Sequence, residues 1–245
     1  MHFIHALLLK AHIGIGAIAL IAFWLPVATR KGSSLHKKSG RIYVWCMSIV
    51  AASAIAMSLM VLMDPIGVRV PARNLDMERA ALIASNNRMF ALFLLMLGML
   101  TAAGLRHGLL ALRVKQQPDA LRSKGHVVLL ASLGVMGILV GYTGIVYSQV
   151  LLMVFAVIAI SGSVNTLREA FKRNMTRNDR IKAHFGGLIG TGIGAYTAFF
   201  AFGGSRLLAD ILRGQWQVIP WVLPAIIGTI AIRRVEKNYQ NKATS

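Results

Sequence analysis

The sequence predicts an all-α protein, a polytopic transmembrane helix bundle of seven spans with its N-terminus outside and its C-terminus cytoplasmic. Three observations carry that expectation. Of 245 residues, 56% are hydrophobic and 14% charged, where a soluble domain carries about a quarter charged; the mean hydropathy is +0.62. Apolar runs of bilayer length alternate with basic segments. The 27 Lys and Arg, against 8 Asp and Glu, are also shared unevenly between those segments. Connections one, three and five and the tail hold 5, 5 (with Arg106 at the end of span three), 6 and 4 basic residues, while the intervening connections hold 4, 0 and 2. Seven spans place the heavily basic segments on one side, which the positive-inside rule makes cytoplasmic. This placement also explains the net charge of +19 without a nucleic-acid partner, since the cations punctuate membrane spans instead of forming one basic face.

Span one covers residues 4–27. On a helical wheel His5, His12, Gly16, Ala19 and Phe23 share a narrow stripe. His2 lies near that stripe, whereas Lys10 lies on the other side. No basic segment precedes this run, and it ends in Trp24-Leu25-Pro26 instead of a small-residue cleavage site; it reads as a retained span, not a signal peptide. Span two covers 43–63. Tyr43, Trp45 and Trp24 form an aromatic belt beside the first basic connection. Asp64-Pro65-Ile66-Gly67 breaks the helix, and residues 74–87 are expected to form a short interfacial helix. Span three covers 89–112 and ends in Arg106-His107-Gly108.

A long apolar tract opens at His126. As one helix it would be about twice as long as a bilayer core is thick, so it must fold back. Gly141-Tyr142-Thr143-Gly144 is the expected hairpin, giving span four (126–140) and span five (146–167). Span six covers 184–202, where Gly186, Gly190 and Gly194 form two overlapping GxxxG units. That spacing suits a close helix–helix contact and offers a face for a homo-oligomer or membrane partner. Span seven covers 218–232, with Trp216 and Trp221 in a second aromatic belt. The spans together make one integral membrane domain, residues 1–245, and its basic connections are expected to meet anionic membrane lipids.

The titratable groups within this frame are chiefly histidines. His12 is the deep one, and an ionisable residue inside a span marks a functional site by default. His107, His126 and His184 lie near cytoplasmic span ends, with His36 on the adjoining connection. Imidazoles from two helices can ligate haem iron, so His12, His36, His107, His126 and His184 are candidate ligands and haem b is the candidate cofactor. Two alternatives stay open: that the rings serve packing and the interface, or that they carry protons or a solute. The single cysteine, Cys46, excludes an intrachain disulfide and a Cys-based metal cluster. No span carries a central carboxylate, which argues against an Asp/Glu-coupled carrier. The P-loop, G-x-S-x-G and H-E-x-x-H patterns are absent, and no catalytic residue is assigned.

His12-Ile-Gly-Ile-Gly16, Phe23-Trp24-Leu-Pro26 and Lys31-Gly32-Ser-Ser-Leu-His36-Lys-Lys-Ser-Gly40-Arg41-Ile-Tyr43 resemble the opening of a bacterial family of predicted membrane proteins, domain of unknown function 2306. The family pairs an early span histidine with His-x-x-x-Gly-Arg-x-Tyr, matched here by His12, His36, Gly40, Arg41 and Tyr43. The likeness is specific over residues 11–47 and vaguer over 168–206. Its later His-Arg-x-x-Met pattern is not intact in this chain. The resemblance implies a multi-pass protein of the bacterial cytoplasmic membrane. Two function classes follow from the whole reading. One is a His-dependent haem-binding or redox protein. The other is a non-enzymatic permease or assembly factor with structural histidines.

Overall fold

A computed structural model describes residues 1–68, 76–203, 219 and 223–230. Among the described residues, six helices are long and apolar enough to cross a membrane: α1 (His2–Ala28), α2 (Ser34–Met63), α3 (Met77–Arg113), α4 (Lys124–Val146), α5 (Val150–Ala170) and α6 (Arg177–Ala198), the last continued by a π turn at Phe199–Gly203. No strand occurs among the described residues. This is a membrane-type helix bundle: in hydrocarbon only a helix or a closed barrel can satisfy every backbone polar group internally. Of the seventh expected span, residues 219 and 223–230 are described, and they are helical.

Two expected boundaries are corrected. Of the residues expected to form a short interfacial helix, 77–87 join α3, which runs unbroken for 37 residues, about 55 Å at 1.5 Å per residue. Nothing in Met77–Arg88 breaks a helix, and the Asp76 carboxylate accepts from the Arg79 amide at its start (2.7 Å). The α4–α5 hairpin also falls later than expected. Residues 141–144 are helical, and the chain reverses at Tyr147-Ser148-Gln149, with Ser148 at φ 53°. The glycines that suggested a turn are packing positions instead. A Cβ on Gly137 would meet Ile160 at 2.8 Å, and one on Gly144 would meet Met153 at 2.9 Å. Span four is therefore full length.

Contacts divide the described chain into two compact units. The first comprises Met1–Ala103 with Arg122–Lys172. Within it α1 pairs with α2, and α4 with α5. Phe93 and Met96 of α3, Leu130, Leu133 and Val140 of α4, and Leu152, Ala156 and Ala159 of α5 form one buried cluster. Phe93 meets Phe155 edge-on at 5.4 Å. The Ser163 hydroxyl donates to the Leu130 carbonyl at 2.7 Å, tying α5 to α4. Gly98 lets α3 approach α2, where an added Cβ would lie 2.9 Å from Ile55.

The second unit comprises Gly104–Leu121 with Arg173–Ser245. Thr176 and Asp179 form a reciprocal capping box that starts α6 seven residues ahead of the expected span. In this unit α6 crosses the end of α3 through glycine. A Cβ on Gly187 would lie 2.6 Å from the Gly104 carbonyl oxygen and 3.1 Å from the Gly108 amide nitrogen. By contrast, a Cβ on Gly186, Gly190 or Gly194 would meet no described atom within 4 Å. The close contact expected of those three residues is therefore made by Gly187, one position out of their register.

Gly187→Ala is expected to destabilise the detergent-solubilised protein by about 1–3 kcal/mol, the usual range for overpacking, and Gly190→Ala to leave thermal unfolding unchanged. Equal effects of the two substitutions in a thermal scan would refute this assignment of faces.

Candidate functional site

α1 turns its histidine stripe toward α2. The Gly16 position lies 3.8 Å from Val50, an ordinary contact, and His12 Nδ1 lies 2.9 Å from Ser53 Oγ. Ser53 has one hydroxyl proton and three acceptors within reach: the carbonyls of Ile49 (2.7 Å) and Val50 (3.0 Å) and the His12 ring. Where that proton goes to a carbonyl, the oxygen accepts from the ring, and neutral His12 then carries its proton on Nδ1 and its lone pair on Nε2. Ser53 is buried and His12 half-buried. Sequence reasoning missed Ser53, since a serine on an apolar helix is ordinary and its partner lies 41 residues away.

His36 folds back onto the end of α1. Its Nδ1 donates to the Pro26 carbonyl at 3.0 Å, while Ser33 caps its backbone amide. Lys31 Nζ donates to the carbonyls of Pro26 (2.8 Å) and Val27 (2.7 Å), and the Thr29 hydroxyl donates to that of Leu25 (2.9 Å). Three terminal carbonyls of α1 are thus satisfied by side chains of the following connection and the first turn of α2. Partial burial here lowers the Lys31 pKa from its ordinary value. Gly40 faces Pro26, where a Cβ would sit 3.9 Å from the proline Cβ. The Tyr43 ring is buried against Phe23, with centroids 5.5 Å apart. The residues that carry the family resemblance therefore gather at this one corner, apart from His12 and the exposed Arg41.

His184 sits on α6 in the second unit and donates from Nδ1 to the Gly108 carbonyl at 2.9 Å. His107, the preceding residue on α3, is buried. The space beside Gly187 is filled by α3 backbone, so that glycine makes no room for a flat ligand. His126 is fully buried in the first turn of α4, where its amide donates to the Ser123 carbonyl (2.8 Å). At the start of α1, His2 Nδ1 donates to the Val68 carbonyl at 2.8 Å.

Three rings, His2, His36 and His184, thus give Nδ1–H to a backbone carbonyl. Metal-bound histidines are usually held this way, the second nitrogen tied to the protein. No set of three or more His, Cys, Asp or Glu able to hold a bare metal ion occurs among the described residues. A porphyrin supplies four nitrogens of its own and asks for one or two axial ligands. Oriented imidazoles on separate helices therefore suit haem better than a bare ion. Comparison of the chain with protein-family models, with curated proteins and with solved structures finds no match.

In bilayer-reconstituted protein labelled with 15N-histidine, His12 should resonate as the neutral form with a protonated Nδ1 and a bare Nε2. Ser53→Ala should cost about 0.6 kcal/mol, the average for an interhelical hydrogen bond in a membrane. A proton found on Nε2 would reverse the tautomer and remove the ligand argument.

Proposed function

We propose that the chain is a haem-binding, redox-active membrane protein in which His12 Nε2 supplies an axial ligand. The observation that carries this reading is the Nδ1–Ser53 hydrogen bond, which orients an imidazole inside a membrane span. Haem so held would supply one-electron chemistry, with potential tuned by axial ligand and burial. The chain's own part is to fix the ring from α2. Among the other candidates, His107 and His184 lie in one unit, while His36 and His126 share the first unit with His12.

The accompanying assignments are seven spans, an outside N-terminus, the bacterial cytoplasmic membrane and membership of the family resembled by residues 11–47. Charge asymmetry and motif spacing support them. Gly186, Gly190 and Gly194 are assigned to a partner helix or second copy, and the basic connections to anionic lipid.

A second reading has its own observation. His36 and His184 give their protons to backbone carbonyls at a helix end and a helix crossing, as structural joints do. On that reading the protein is a permease or assembly factor whose histidines hold helices together.

The deciding measurement is an absorbance spectrum of protein purified after expression with haem supplied, before and after dithionite. The first reading expects a Soret band that sharpens on reduction, with an α band. The spectrum should be lost in His12→Ala, shifted in Ser53→Ala and retained in His36→Ala. A flat spectrum in the intact protein would overturn it and leave the structural reading.

A further inference from the structure

Of the chain's 27 basic residues, 26 lie outside the apolar runs or in the last turns of one. Lys10 is the exception, in the upper half of α1. It is exposed, in a seam running Phe3, Leu7, Lys10, Gly14, Ala17, Ile21 and Trp24, the four-three spacing of one helix face. The whole seam is uncovered: Phe3 is 77% exposed, Ile21 73% and Trp24 52%. A Cβ on Gly14 would meet nothing within 4 Å. The seam lies away from the His12–Ser53 contact, so Lys10 takes no part in that site.

Depth limits what Lys10 can meet. Trp24 marks one membrane boundary, where exposed tryptophan concentrates. Lys10 is fourteen residues above it, or about 21 Å at 1.5 Å per residue. A hydrocarbon core of about 30 Å leaves the Lys10 backbone roughly 9 Å below the opposite boundary. Helical Cβ atoms tilt toward the helix N-terminus, so the lysine stem leads its ammonium up toward the headgroups, past Leu7 and Phe3.

A cation brought to that level on an apolar face calls for an anion. A second copy of the chain offers no carboxylate within its apolar runs to meet it through the hydrocarbon. Asp64, beside the end of α2, already accepts from the Gly67 amide at 2.8 Å. We infer that the Lys10 seam is an anionic phospholipid site in the leaflet at the N-terminal end of α1. The ammonium pairs with the headgroup phosphate, and an acyl chain lies along the shallow track over Gly14 and Ala17, beside Ile21.

The test places a reporter in that leaflet alone, away from the basic connections. In the full chain, Trp24, Trp45, Trp216 and Trp221 become Phe and Leu7→Trp supplies the single fluorophore. The protein is reconstituted in phosphatidylcholine containing bromine-labelled phosphatidylglycerol or bromine-labelled phosphatidylcholine, and quenching gives the relative association constant at that position. Lys10 should favour phosphatidylglycerol about fivefold, the factor expected for one well-placed cation. Lys10→Arg should keep the preference, and Lys10→Gln should bring the ratio to one. A ratio near one with Lys10 present overturns the site by itself, even if Lys10→Gln fails to fold. A preference that survives in Lys10→Gln overturns it too. So does an absence of quenching by either lipid, which would show that a protein surface covers the seam.

Discussion

A backbone carbonyl left without a donor in hydrocarbon costs several kcal/mol, and every helix ends in four of them. The end of α1 shows how this chain meets that cost. Leu25, Pro26 and Val27 offer carbonyls, and Thr29, Lys31 and His36 answer them. Two of those donors stand in the connection and the third on the next helix. The same bonds that end α1 therefore aim α2, and the aim brings Tyr43 against Phe23 and Ser53 against His12. Without the corner, the intramembrane imidazole would lose its partner on α2. The spacing Pro26…Lys31…His36…Gly40…Tyr43 makes sense as a helix corner before it makes sense as a site.

Helices that share a solvent as apolar as themselves gain little by hydrophobic burial. They associate by close packing and by polar groups that find one another. Both devices recur here. Gly98, Gly137, Gly144 and Gly187 stand where a neighbouring helix takes the volume of a Cβ. Ser53 and Ser163 each add one interhelical hydrogen bond. At the α3–α6 crossing the two combine, as Gly187 lets the helices approach and His184 reaches the Gly108 carbonyl.

The apolar runs made the helices legible, because bilayer thickness sets the length of a span whatever packs around it. Boundaries were less legible, and each error has a physical source. Gly141 and Gly144 looked like a turn because glycine favours turns in water; in a tightly packed membrane hairpin it serves contact instead. The reversal went to Ser148, a residue with no compositional claim to positive φ. Charge at residues 76–88 suggested a break, yet charge outside the hydrocarbon does not end a helix. Periodicity identified α6 as glycine-rich but could not choose between the Gly186 and Gly187 registers, since the choice depends on α3. His12 stood out by its depth alone, whereas Ser53 became visible only once two helices were paired.

The short reversal between α4 and α5 has a consequence for how the protein reaches its membrane. Tyr147, Ser148 and Gln149 carry no charge, so with the proposed outside N-terminus almost nothing polar must be dragged across when this pair enters the bilayer. The two helices, interlocked at Gly137 and Gly144, have every reason to partition from the insertion machinery as a single wedge. On the same proposed threading the segment between α2 and α3 is the opposite case, with four arginines between residues 64 and 88. A delay at that step would leave α1 and α2 paired at their corner while the rest of the protein is still being made.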